Sequence, residues 1–261
     1  MRSRWLVAPG MRPFWLLVML VVLWDLTIRV FDIKPYLIPT PWAVARTLAS
    51  EWPMLWRETM PTLYATLGGF FASVLVGIPI AMWISYSRLV ESFVYPLLVF
   101  SQSIPKVAIA PLFVVWFGFG IVPKVIAAFL LGFFPVVVAT VQGFKSVEAD
   151  VIDLARSMGA TPLKVFLKFR LPTALPTIFS GLKVSVTLAV VGAVVGEFVG
   201  SNSGIGYVLQ KANGTFDLPL MFSGLVILSM VGVLLFLAIE LVERALMPWH
   251  ASQRHDVQIA A

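Results

Sequence analysis

Long apolar runs alternate with short polar breaks along this chain, at residues 14–30, 61–86, 92–116, 122–141, 177–198 and 218–241. Most approach or exceed the roughly 20 residues that a helix needs to cross a bilayer. The pattern predicts an all-α polytopic membrane protein with about six transmembrane helices. The polar stretch between the fourth and fifth runs, residues 145–176, reads as two short helices meeting at a bend. Val147, Val151, Leu154 and Met158 recur at spacings of three and four and give one apolar stripe, leaving Glu148, Asp150, Asp153 and Arg156 to face elsewhere. Gly159 interrupts the first helix. Thr161 and Pro162 read as the N-cap and first position of the second, Leu163, Phe166 and Leu167 give it an apolar side, and Pro172 is expected to end it. On pattern alone this insert is either a cytoplasmic loop resting on the membrane or a docking surface for a soluble partner.

The runs differ in texture. The first follows Arg2, Arg4 and Arg12 and continues beyond a signal-peptide core, so it is read as a retained span with the N-terminus inside. Residues 31–60 are broken by Pro35, Pro39, Pro41 and Pro53 and carry interfacial tryptophans. The third run contains Gln102, Ser103, Pro105, Lys106 and Pro111, which predicts broken helix shielded by protein. Lys106 either snorkels or faces a polar path, and a kinked packing helix accounts for it equally. Gln102, Ser103 and Lys106 are the candidates for a translocation path. In the fifth run Gly181, Ser185, Ala189, Gly192 and Gly196 form one small-residue face, suited to helix packing or to lining a pore.

Composition narrows the function classes. Hydrophobic residues make up 59% of the 261 positions, more than a soluble core of this size needs. The absence of cysteine excludes a disulfide framework and thiolate metal sites. His250 and His255 fall in the polar tail, which argues against a catalytic metal centre. The net charge of +6 reads as cytoplasmic-side marking and not as nucleic-acid binding. Basic residues at 88, 145, 156, 164, 168, 170 and 244 would share that side, whereas Lys34, Arg46, Arg57, Lys124 and Lys211 fall outside or near the outer interface. The loop Gly200-Ser201-Asn202-Ser203-Gly204-Ile205-Gly206 lacks the lysine and hydroxyl spacing of a P-loop. Asp25 and Glu197 read as isolated acids, and no nucleophile sits with a base, so the chain is not expected to be an enzyme. The expected organisation is a cytoplasmic N-terminus at 1–13, a transmembrane domain at 14–247 and a cytoplasmic tail at 248–261.

At the insert, Asp153-Leu154-Ala155-Arg156-Ser157-Met158-Gly159 followed by Phe169-Arg170-Leu171-Pro172 resembles the EAA loop of inner-membrane permease subunits of binding-protein-dependent ABC importers. Ala155, Gly159, Leu171 and Pro172 match that pattern, while Asp153, Leu154 and Phe169 replace its Glu, first Ala and Ile. Residues 104–120, 171–186 and 196–207 resemble the nitrate, sulfonate and taurine branch, with Lys106 where a less polar residue is common. The resemblance implies a homodimer, or a closely related pair, in the bacterial inner membrane. It also implies two cytoplasmic ATPase subunits carrying ATP and Mg, and a periplasmic or lipid-anchored binding protein that delivers a small solute. Asp153, Ala155, Gly159, Ala160, Leu171 and Pro172 would form the ATPase-coupling element, with Ala155 leaving room for an approaching surface. This chain itself would bind no cofactor. An ion-gradient-driven secondary transporter using Lys106 is the alternative.

Overall fold

The structure, a computed structural model, describes residues 12–248. The expected cytoplasmic N-terminus, apart from its last residues, and nearly all of the expected tail, with His250 and His255, lie outside the described residues. Every regular element described is helical: α1 (Arg12–Val30), α2 (Pro41–Ser50), α3 (Trp52–Tyr86), α4 (Arg88–Gln102), α5 (Lys106–Phe117), α6 (Ile121–Lys145), α7 (Ala149–Ser157), α8 (Pro162–Val165), α9 (Leu171–Gly200), α10 (Ile205–Gly214) and α11 (Leu218–Leu246), with a π-helical turn at Phe166–Arg170 between α8 and α9.

Among the described residues, four helices are long and apolar enough to cross a membrane: α3, α6, the unit running from α8 through α9, and α11. The third run is a pair of helices, α4 and α5, bent by 93°. Counting that pair as one span gives up to five. The expected break is present, but it falls at Ser103–Pro105, and Pro111 lies inside α5 without interrupting it. In residues 31–60 Pro35 and Pro39 fall in the non-helical connection, while the other two prolines act as starters: Pro41 follows the cap Thr40, whose Oγ1 accepts from Ala43 N at 3.2 Å, and Pro53 falls in the first turn of α3.

Pro172 does not end a helix, contrary to expectation. The chain from Pro162 to Gly200 is one helical unit, and Pro172 sits in the first turn after the π turn. A proline has no N–H to give and its ring crowds the carbonyl four residues back; the wider π turn immediately before it takes up that local misfit.

The centre of the fold is α6 packed along α9, with α3 against both. Phe70, Ala128, Val136, Phe144, Ile178 and Val186 are among its buried members. The small face of α9 is turned towards α6: Gly181 lies against Ala139, Gly132 against Ser185, and Gly196 against the backbone of Lys124. A Cβ added at Gly192 would come within 2.5–2.8 Å of the Ala127 and Ala128 backbone, which no rotamer change relieves. Gly192→Ala is therefore expected to destabilise the purified protein by about 1–3 kcal/mol, the usual size of overpacking. Gly232→Ala, whose Cβ meets nothing within 4 Å, is expected to leave the melting temperature unchanged or raise it. Melting in detergent checks both.

Candidate functional site: a bent elbow and an outer clasp

Residues 146–170 form an elbow at one end of the α3–α6–α9 bundle. Helix α7 stops because Gly159 takes φ +77, a left-handed conformation that costs other residues but not glycine. There Gly159 N donates to Arg156 O at 2.9 Å and Ala160 N to Ala155 O at 3.0 Å, satisfying the last carbonyls of α7. Thr161 then caps the next helix, its Oγ1 accepting from Lys164 N at 3.4 Å, with Pro162 in the first position. The inside of the elbow is a small core of Ile152, Ala155 and Val165, with Val147, Ala160 and Phe169 against it.

This core changes the expected roles. Ala155 is only 4% exposed, so it fills the elbow and leaves no recess for an approaching surface. The stripe of Leu154 and Met158 faces outward, at 63% and 80% exposure, joined by Leu163 at 66%. Asp153 is exposed and lies 3.6 Å from Arg156, an ion pair of little energetic weight in water. Leu171 packs against the central core at the start of α9, and Pro172 is half-buried beside it.

The elbow is tied to the bundle by aromatic side chains. Phe166 packs on Phe144 of α6 at 5.8 Å and on Tyr86 of α3 at 6.3 Å between ring centroids. Arg170 lies over the Tyr86 ring at 5.1 Å. The elbow thereby contacts two long helices at once. Two ion pairs lie towards the same end of the bundle, Lys145 with Glu91 and Lys183 with Glu243. Lys183 also stands 5.5 Å over the Phe236 ring, which explains how a lysine is tolerated inside the fifth apolar run.

Gln102, Ser103 and Lys106 come together at the α4–α5 bend. Gln102 and Ser103 are exposed and Lys106 is half-buried at the start of α5.

At the opposite end a polar clasp fastens the glycine-rich loop. Glu197 is fully buried and is not isolated. Its Oε1 accepts from Thr62 Oγ1 at 2.9 Å, its Oε2 accepts from Gly206 N at 2.7 Å, and Lys124 Nζ stands 3.6 Å away. Lys124 Nζ also donates to Ser203 O at 2.8 Å, and Glu58 Oε2 accepts from Gly204 N at 2.9 Å. Three helices thus hold one loop. Gly204 is at φ +108, and a Cβ there would overlap the Glu197 carboxylate. The signal for this clasp is an acid followed by glycines seven and nine positions later: the N–H of Gly206 reaches back to Glu197, and that of Gly204 goes to Glu58.

Comparison with known proteins places this architecture. Residues 69–248 match the family model described as the binding-protein-dependent transport system inner membrane component. The formylaminopyrimidine transport permease of Halalkalibacterium halodurans is 39% identical over 245 residues, covering 94% of this chain and 98% of that one. The riboflavin transport system permease of Chloroflexus aurantiacus is 35% identical over 90% of this chain and 89% of its own length. The taurine transport system permease of Escherichia coli is 30% identical over 90% and 88%. Among solved structures, an inward-facing form of the MetNI methionine ABC transporter superposes with a TM-score of 0.61 at 20% identity, covering 80% of this chain and 98% of that one. The chain belongs to the family of inner-membrane components of binding-protein-dependent transport systems, as a non-catalytic, multi-pass permease subunit of the nitrate, sulfonate and taurine branch.

Proposed function

We propose that two copies of this chain form the path for a small solute, and that the elbow couples it to ATP hydrolysis on two separate cytoplasmic ATPase subunits, which carry the ATP and Mg. The observation that carries this reading is the outward display of Leu154, Met158 and Leu163 on the elbow, where Val151 and Leu167 are exposed as well. Large apolar side chains held in water by a small core behind them are what a partner groove buries. Closure of the ATPase pair would pull the elbow, and Phe166 and Arg170 would hand the movement to α3 and α6, shifting the balance between inward-open and outward-open states. Gly159 and Ala160 shape the bend, Asp153 lies on its exposed side, and Leu171 and Pro172 join it to α9.

The elbow and the ion pairs Lys145–Glu91 and Lys183–Glu243 then lie on the cytoplasmic side, and the clasp faces the periplasm, where a solute-laden binding protein docks. Helix α1, 19 residues long, supplies the sixth crossing and puts both termini inside. Gln102, Ser103 and Lys106 at the bend face the path, while the small-residue seam holds α9 to α6. Relatives 30–39% identical carry names with unlike cargoes, formylaminopyrimidine, riboflavin and taurine, which supports selectivity residing mainly in the binding protein.

The chain has no cysteine, so a single introduced thiol reports sidedness directly. A membrane-impermeant maleimide is expected to label Leu154→Cys only in inside-out vesicles, with labelling blocked by the bound ATPase. Asn202→Cys, on the exposed part of the clasped loop, is expected to label only from the other side. Labelling of Leu154→Cys in intact spheroplasts, or gradient-driven uptake by this chain alone in liposomes, would overturn the proposal.

A further inference from the structure

We infer that the cleft between the elbow and the end of α3 is a binding site for a phosphate-type anion. The cleft has a volume of about 490 Å³ and brings together Arg156 from α7, Arg170 from the π turn and Tyr86 from α3, with Pro162, Val165 and Phe166 as its apolar wall. Two guanidinium groups thus share one cleft whose lining includes no carboxylate. Asp153, the acid beside Arg156, is 3.6 Å from its Nη1 and lies on the exposed side of α7, outside the lining. Arg170 lies over the Tyr86 ring, its Cζ 5.1 Å from the centroid, a contact that restrains the guanidinium. Its Nε is buried and has no hydrogen-bond partner within the described residues. A buried charged donor without an acceptor is costly, and a second guanidinium nearby raises that cost.

The shape of the donor set selects the ligand. Arg170 offers a planar fork, Arg156 a second cation, and the Tyr86 hydroxyl a further donor. Ser85 is not counted, because its hydroxyl already donates to Ala81 O at 2.7 Å. Donor groups carried by three elements around one cleft suit a tetrahedral oxyanion, whose several oxygens can each be met, better than a planar carboxylate. The apolar wall suits a phosphate that carries an ester substituent. The contrast lies at the other end of the molecule, where a cleft of about 280 Å³ beside Lys124 holds a cation already matched by Glu197 and Ser203. One anion held between α7, the π turn and α3 would stiffen the joint between the elbow and the bundle. The inference stands on the chemistry of the cleft and does not rest on ATPase coupling.

Two sources supply such an anion, the head group of an anionic phospholipid or free inorganic phosphate, and two arms separate them. In the first, the full-length protein in its purified complex is placed in nanodiscs of mixed phosphatidylglycerol and phosphatidylcholine, and retained lipid is counted by native mass spectrometry. In the second, the delipidated complex is titrated with isotopically labelled inorganic phosphate. One saturable site per chain is expected in at least one arm, weakened about tenfold or more in Arg170→Gln, the scale of a lost charge-assisted hydrogen bond. Arg170→Lys, which keeps the charge and loses the fork, is expected to fall between. Should Arg170→Gln fail to fold, the exposed Arg156→Gln tests the same site. No saturable binding in either arm, or binding unchanged in these variants, overturns the inference.

Discussion

Glu197→Ala is expected to unfasten the glycine-rich loop and abolish transport, while the protein still reaches the membrane. The carboxylate is fully buried, accepts from Thr62 Oγ1 and Gly206 N, and is the counter-ion of Lys124. Removing it leaves the Lys124 side chain, only 4% exposed, as an unmatched buried cation. Loss of one partner from a buried pair costs about 3–5 kcal/mol, a large share of the roughly 5–15 kcal/mol that holds a typical domain together. Melting of the purified protein is expected to fall accordingly, and Asn202→Cys in this background is expected to react faster with maleimide. A second substitution identifies the cause: Lys124→Met combined with Glu197→Gln leaves no unpaired charge and should recover much of the stability. Its Gln carbonyl can still accept from Gly206 N. A Glu197→Ala protein that melts and labels like the parent would show that the clasp is not what holds the loop.

The same clasp marks where the sequence stops being legible. The lengthwise positions of α3, α6, α9 and α11 follow from apolar runs, because a helix surrounded by lipid or packed on other helices needs no polar face. Lys124 and Glu197 lie 73 positions apart, and periodicity carries no information about which helix meets which. Each alone reads as a charge near an interface. The elbow was legible in the same partial way. Gly159, Thr161 and Pro162 announce a bend and a cap through local chemistry that needs no partner, and the structure has both. The stripe of Val147, Val151, Leu154 and Met158 is visible as a stripe, but its direction is not: Val147 packs against the elbow core, whereas Leu154 and Met158 face outward. Period alone says that these side chains share a face, and the core that fills the elbow is made of the neighbouring Ile152 and Ala155 instead. Pro172 departs from expectation for a related reason. Its effect on the helix depends on the backbone before it, and a π turn at Phe166–Arg170 leaves no residue-type signature as plain as a proline.

Met158→Asp combined with Leu154→Asp is expected to separate the permease from its ATPase without unfolding it. Both side chains point away from the elbow core, so the substitution removes no buried contact, and the melting temperature of the isolated permease should stay within about 1–2 °C of the parent, the range of a surface change. Docking is another matter. Burial of a Leu or Met side chain in a partner groove stabilises a complex by about 1.5–3 kcal/mol each, and a carboxylate carried into the same groove adds a desolvation cost. Together these predict affinity weaker by about a hundredfold or more, enough to lose the ATPase during purification and to reduce ATP-driven uptake to background. Lys164→Ala, exposed on the adjoining helix, should leave the complex intact, and Met158→Leu should retain most of its activity. Ala155→Leu is expected to behave differently from all of these. It overfills the elbow core and so lowers the stability of the permease and the docking together. If the double Asp variant still co-purified with the ATPase and transported normally, the outward stripe would not be the gripped surface, and coupling would have to be sought on the polar side of α7, at Asp150 and Asp153.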